Sequence, residues 1–287
     1  MNFTPFIATG LGLGAVYGIA AMGVVILYRA SGTINFAFGA LGALAAHVAW
    51  QLIEWGAGAP LAWGLGIAAA SAGSLLYGRL VSARLVDRDP VVRSIATLGL
   101  ALFLLGIVSA VWGPGLPRRL TLPTDSMALA AYGIRVSYTR LAALAFAVIA
   151  AGAMGLLLNR TRLGLAMRAL AASRPISEVI GVPVVATDGA AWLLSGVFAG
   201  AVGLLLSVLV VMSPIPLTFL IIPALAAAIL GGLTSLPGAL AGGMVCGLAE
   251  AMLTGVPGLA TYRSALPYLL ALLATMLPFT PFARSGR

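Results

Sequence analysis

The alternation of apolar and polar positions along this chain follows one theme: runs of about 20 residues with little or no charge, separated by short stretches that collect arginine. Phe6 to Tyr28, Ser94 to Gly113, Tyr138 to Leu158 and Ala190 to Met212 are such runs. About 20 residues rising 1.5 Å each cross a hydrocarbon core as a helix, and a backbone with no water to bond must satisfy itself internally. The pattern predicts spans near 6–28, 36–53, 60–80, 94–113, 138–158, 188–212, 217–233, 236–255 and 264–283. The runs at 36–53 and 217–255 are rich in Gly and Pro and read as broken or re-entrant, which sets the expected count at about 8–10 segments. The apolar/polar alternation of a spanning β-barrel is absent. The expected fold is all-α, a polytopic transmembrane helical bundle forming a single domain over residues 1–287.

Composition strengthens this picture. Hydrophobic residues make up 61% of the chain and charged residues 8%, against about 25% charged in a soluble domain. The net charge of +9 comes from sixteen arginines without a lysine. They lie between spans, so they report orientation rather than a nucleic-acid partner, and the expected surroundings are membrane lipid. On the predicted map the inner segments hold eleven: Arg29, Arg79, Arg84, Arg88, Arg93, Arg160, Arg162, Arg168, Arg174, Arg284 and Arg287. The outer segments hold five: Arg118, Arg119, Arg135, Arg140 and Arg263. MNFTP carries no basic residue before the first run, so that run reads as a retained span with its N-terminus outside. Cys246 is the single cysteine, sits in an apolar run and offers neither a disulfide nor a thiol metal site; no cofactor is expected.

Small residues carry the next signal. Gly10/Gly14/Gly18, Gly196/Gly200, Gly238/Gly242 and Gly243/Gly247 recur at four-residue spacing, which gives a helix a flat strip for close packing inside lipid. Two clusters differ because polar residues join the glycines: SGTINFAFG at 31–39, with Asn35 and Gly39, and GGLTSLPG at 231–238, with Gly231, Gly232, Ser235 and Gly238. Each reads either as a helix interruption lining a solute path or as a tight turn at the membrane surface. Ionisable residues within spans are few, His47 and Glu250 chiefly, with Glu54 and Asp188 near ends. A buried charge is expensive, so each is a functional candidate. Glu250 lies about 7.5 Å from the outer end of its span and reads as a structural or gating hydrogen bond; His47 reads as a neutral packing residue. So few candidates weaken the reading of an ion-driven carrier.

The segment 159–188 places Leu163, Ala166, Met167 and Leu170 at helical spacing, and Pro175 opens a second short piece with Ile176, Val179 and Ile180. It predicts two short amphipathic helices on the cytoplasmic side, either a solvated connection or a docking surface for a soluble partner.

Four stretches in order and spacing, INFAFG, GLAMRALAASRPISEVIGV, LLSGVFAGAVGLLL and GGLTSLPGALAGGMVCGLAE, resemble the permease subunits of branched-chain amino-acid ABC importers across nearly the whole chain. The resemblance implies a multi-pass protein of a prokaryotic cytoplasmic (inner) membrane. Its implied partners are a second homologous permease, two cytoplasmic ATP-binding subunits and an extracytoplasmic substrate-binding protein. It also implies that 159–188 is the coupling loop meeting the ATPase, with Arg168, Ala169, Ser177, Glu178 and Gly181 as its marked positions. The chain has no GxxxxGK[ST] loop, so it is expected to be a transport subunit rather than an enzyme. Phe38 replaces the histidine usual after INFA, Ala40 a polar residue, and Ser177 an alanine, and the family also includes permeases for urea and short amides. The expected mechanism is ATP-driven alternating access: Asn35 offers amide hydrogen bonds near the path, Phe36 and Phe38 form an apolar wall or gate, and Gly39, Gly231, Gly232, Ser235 and Gly238 line or hinge it. The alternatives are an ion-coupled secondary transporter, or an ABC permease for urea, amide or sugar-like solutes.

Overall fold

The computed structural model describes residues 4–113, 118–120, 128–131, 134–209, 212–233, 235–256 and 258–276. Thr234, Arg284 and Arg287, and the end of the run predicted at 264–283, lie outside the described residues.

The described helices are α1 (Thr4–Ser31), α2 (Phe38–Glu54), α3 (Ala59–Leu80), α4 (Pro90–Trp112), α5 (Tyr138–Arg160), α6 (Arg162–Ala172), α7 (Arg174–Val179), α8 (Val184–Leu209), α9 (Pro214–Thr218), α10 (Ile221–Leu230), α11 (Leu236–Thr254) and α12 (Leu266–Met276). A small antiparallel hairpin, β1 (Ala128–Ala131) with β2 (Ile134–Ser137), lies in the connection before α5. Among the described residues, six helices are long and apolar enough to cross a membrane, those built on α1, α3, α4, α5, α8 and α11. The three remaining predicted segments are shorter: α2 has 17 residues, the run at 217–233 is divided between α9 and α10, and α12 is described over 11. This is the all-α polytopic bundle expected from the hydropathy pattern.

The chain forms two compact units, each assembled from separate stretches. One contains residues 26–120 and 152–221, and its centre is the mutual packing of α2, α3 and α8. The helices approach through their small residues. A methyl added to Gly203 would collide with the backbone of Gly42, and one added to Gly196 would stand 2.7 Å from the Cα of Ser71. Without a hydrophobic driving force between helices in lipid, such close backbone approach supplies the dispersion contacts that hold them. Ser74 Oγ donates to the Trp192 carbonyl at 2.6 Å and ties α3 to α8. On α4 the large side chains Leu102, Phe103 and Val111 are exposed, as a lipid-facing surface requires.

The other unit contains residues 1–25, 121–151 and 222–287. Here α1 lies against α11: a Cβ on Gly14 would stand 2.8 Å from the Met244 Cα, and a Cβ on Gly247 would enter the Gly14 backbone. Arg140 Nη1 donates to Thr9 Oγ1 at 3.1 Å and ties α5 to α1. The four-residue glycine spacings of the sequence are thus helix-packing strips in both units.

Candidate functional site

Regular helix stops at Ser31 and resumes at Phe38, so the first polar cluster is the connection from α1 to α2. It is buried. Thr33 and Asn35 are each 1% exposed, and Phe38 is fully buried. A buried irregular backbone needs partners for its polar groups, and α4 supplies them. Ser94 Oγ accepts from the Ile34 N–H at 3.1 Å, and Thr97 Oγ1 accepts from the Phe36 N–H at 2.9 Å. Arg93 Nη1 donates to the Ser31 carbonyl at 2.8 Å. Asn35 Oδ1 accepts from the Ala37 N–H at 3.0 Å, which closes an Asx turn just before α2. Its Nδ2 is buried with no hydrogen-bond partner among the described residues, leaving two amide donors unspent at the centre of the connection.

The neighbouring aromatic residues differ. Phe36 is half-buried, whereas Phe38 is packed in the unit's interior at the start of α2. Gly39 sits where α2 meets α9; an added Cβ would lie 2.7 Å from the Leu217 carbonyl oxygen and still closer to that of Thr218. The glycine therefore sets how closely these two helices approach.

The second polar cluster, described in its own unit, is the turn from α10 to α11. The Leu233 N–H reaches the Ala228 carbonyl and the Gly232 N–H that of Ile229, a Schellman closure with Gly232 at φ +81°. Ser235 is the N-cap of α11 and accepts from the Gly238 N–H at 3.1 Å. Gly231 and Gly238 face one another so closely that a Cβ on either would meet the other's backbone. Ser235 is exposed. Its local geometry is that of a tight turn between α10 and α11.

The 159–188 segment forms the two short helices its periodicity predicts. Thr161 caps α6 by accepting from the Gly164 N–H at 3.1 Å. Arg168 is exposed and its Nη1 donates to Asn159 Oδ1 at 3.2 Å; Ala169 is half-buried on the same helix. On α7, Ser177 is buried and its hydroxyl donates to the Ser173 carbonyl at 2.8 Å, while Glu178 is exposed. Gly181 closes α7 in a second Schellman arrangement at φ +84°, a conformation that L side chains avoid. The apolar residues of this helix point outward: Ile176 is 63% exposed, Val179 87% and Ile180 68%. Two large aliphatic side chains on this six-residue helix and a third at its C-cap, Ile180, form an apolar patch left uncovered among the described residues.

Glu250 Oε2 accepts a 2.8 Å hydrogen bond from the Tyr17 hydroxyl, which joins α11 to α1. Tyr17→Phe should leave the carboxyl short of this partner and lower the unfolding free energy by about 1–3 kcal/mol, read as a lower midpoint in detergent. Glu250→Gln keeps an acceptor and should lose less. His47 is fully buried and its Nδ1 lies 2.7 Å from the Ala43 carbonyl, so that nitrogen carries the proton; its ring lies 5.5 Å from that of Trp112.

Arg93, Ser94 and Thr97 are the residues that sequence reasoning missed. The signal was present as DPVVRSIAT, a capping aspartate and proline followed by a short polar stripe on an otherwise apolar helix.

Residues 6–275 match the family model described as "Branched-chain amino acid transport system / permease component". Among curated proteins, the chain is 29% identical over 247 residues to the probable branched-chain amino acid transport permease protein LivH of Methanocaldococcus jannaschii, covering 82% of this chain and 76% of that one. It is 26% identical to the high-affinity branched-chain amino acid transport system permease protein LivH of Escherichia coli strain K12, over 88% of this chain and 86% of that protein. It is also 26% identical to the corresponding permease protein BraD of Pseudomonas aeruginosa, over 100% and 96% of the two chains.

Proposed function

Because the chain belongs to the family of branched-chain amino acid transport permease components, we propose that it forms the solute path of an importer for leucine, valine or isoleucine, powered by separate ATP-binding subunits. It is a multi-pass membrane permease subunit of an ABC importer. Its setting is a prokaryotic inner membrane. Its partners are a second homologous permease, two cytoplasmic ATPases and an extracytoplasmic binding protein.

The observation that carries the energy coupling is α7. Its Ile176 and Val179, with Ile180 at its C-cap, are exposed among the described residues, and Gly181 closes the helix just beyond them. Docking these side chains in a groove of an ATPase would bury them, and closure of the ATPases would move the helix. Arg168, Ala169, Ser177 and Glu178 shape and flank that contact: Ser177 fixes the helix internally, and Arg168 and Glu178 offer charges at its rim.

For the solute path, the buried and unpartnered Nδ2 of Asn35 supports the α1–α2 connection as one wall. An amide donor there can greet a carboxylate or a backbone-like oxygen. Phe36 supplies adjoining apolar surface, Phe38 and Gly39 hold the connection against its neighbours, and the Gly231–Gly238 turn gives its own unit a hinge. Glu250 braces α11 on α1 and takes no part in chemistry.

The test is uptake in a host lacking its own branched-chain importers. Expressed with the ATPases, second permease and binding protein of such an importer, the chain should confer ATP-dependent leucine accumulation that valine and isoleucine compete for. Accumulation inhibited by urea or a short amide, and indifferent to valine, would overturn the substrate class and leave the permease architecture standing.

A further inference from the structure

Helix α7 is thinly attached to the rest of its unit. Of its six residues only Ser177 is buried, and that hydroxyl bonds within the segment, to the Ser173 carbonyl. A cleft of about 400 Å³, lined by Gly78, Ser82 and Val86 on one side and by Arg174, Glu178 and Val182 on the other, separates the coupling segment from the end of α3. One polar contact reaches a membrane-length helix: Arg174 Nη2 donates to Asp188 Oδ2 on α8 at 2.5 Å. Among the described residues it is the only side-chain hydrogen bond or ion pair that leaves α7 for another helix. Arg174 also stands 3.6 Å from Glu178 through Nε, but that carboxylate travels on α7 itself. Both members of the contact are partly buried, with side chains 27% and 20% exposed. The second oxygen of Asp188, Oδ1, is buried and has no hydrogen-bond partner among the described residues, so Arg174 alone holds this carboxylate there.

Asp188 sits one helical turn before the place where α8 locks onto α3. Trp192, four residues on and so on the same face, is buried. Its carbonyl accepts from the Ser74 hydroxyl at 2.6 Å, its ring lies 5.1 Å from that of Tyr77, and a Cβ on Gly78 would enter its indole.

We propose that Arg174 and Asp188 are the positioning residues that carry movement of α7 into α8, and through Trp192 into the α2–α3–α8 centre. Parting the pair strands a partly buried carboxylate without its cation, which is costly, whereas α8 can follow as a rigid element. The pair therefore stays closed as α7 moves, and α8 shifts with it. The inference rests on the coupling role of α7 given above, and it adds the joint by which that movement enters the membrane-spanning core.

The test compares ATP hydrolysed with leucine delivered, in proteoliposomes holding the assembled permease–ATPase complex and supplied with leucine-loaded binding protein. Arg174→Gln and Asp188→Asn remove the charge pair but keep hydrogen-bonding groups. Each should leave the ATPase bound and hydrolysing while leucine delivered per ATP falls at least about tenfold, within the range of ordinary allosteric coupling. Arg174→Asp combined with Asp188→Arg re-forms the pair in reverse and should recover most of that loss. Thermal midpoints that stay level across the set separate a transmitting pair from one that only stabilises the fold. Unaltered leucine per ATP in Asp188→Asn overturns the proposal, as does a reversed pair that is folded yet as uncoupled as the single variants. Loss of the ATPase from Arg174→Gln also overturns it, because the arginine would then belong to the docking surface. Should Asp188→Asn not fold, Arg174→Gln on the exposed α7 decides alone. An unsubstituted complex that binds its ATPases and moves no leucine contradicts the function proposed above instead.

Discussion

Ile176→Asp combined with Val179→Asp is expected to abolish ATP-driven uptake while the permease still inserts and purifies as a folded protein. Both side chains are exposed on α7, at 63% and 87%, so neither contributes to the packing of its own unit. Charging them costs little in the isolated chain. In a docked complex each carboxylate would have to shed water against an apolar groove, and interface positions of this kind cost about 2 kcal/mol or more each, roughly 30-fold in affinity. The two together should reduce ATPase association by about 1,000-fold if they act independently, which leaves no coupled complex at cellular concentrations. Co-purification of the ATPase and uptake should fail together, with size-exclusion behaviour and thermal midpoint unchanged. Loss of folding would show that the patch is covered within the permease itself.

The second large effect is structural. Gly203→Leu should leave no well-folded protein, because the added side chain points into the Gly42 backbone rather than toward side chains that can turn aside. Overpacking where side chains can yield costs about 1–3 kcal/mol, and here α2 and α8 would have to part, taking the α2–α3–α8 centre with them. Gly99→Leu, on the exposed face of α4 with nothing within 4 Å of its added Cβ, is the matched control and should be tolerated. Monodispersity in detergent distinguishes them. A well-behaved Gly203→Leu protein would mean that the small-residue strips are not what brings these helices together.

The spans were legible because one-dimensional hydropathy is the dominant constraint on a helix in lipid. The run expected at 60–80 is α3 at 59–80, and that expected at 138–158 is α5 at 138–160. Where the boundary slipped, a cap explains it: α4 begins at Pro90 rather than near Ser94, because Asp89 caps it and accepts from the Val91 N–H, and hydropathy weighs such polar residues as loop. The division of 217–233 into α9 and α10 follows no apolar signal, since Phe219 and Leu220 in the break are as apolar as the helices beside them. The paired helices of 159–188 were readable from Thr161, Pro175 and their periodicity.

The candidate site was less legible. Sequence pointed to the α1–α2 connection through its loose, polar composition, but what holds the connection lies some sixty residues away on α4, and no local pattern records that Ser94 and Thr97 turn toward Ile34 and Phe36. Composition likewise treats GGLTSLPG and SGTINFAFG alike. The first closes as a tight turn with Ser235 exposed, and the second is a buried connection with an unpaired amide. The first is closed by its own local hydrogen bonds, and the second by groups on α4.

The most direct measurement is leucine flux into proteoliposomes made from purified components. With both permeases and the two ATPases in the bilayer, ATP on the ATPase side and leucine-loaded binding protein on the other, leucine should accumulate, and omission of ATP or of the ATPases should stop it even under an imposed proton or sodium gradient. Gradient-driven accumulation by this chain without the ATPases would contradict the account.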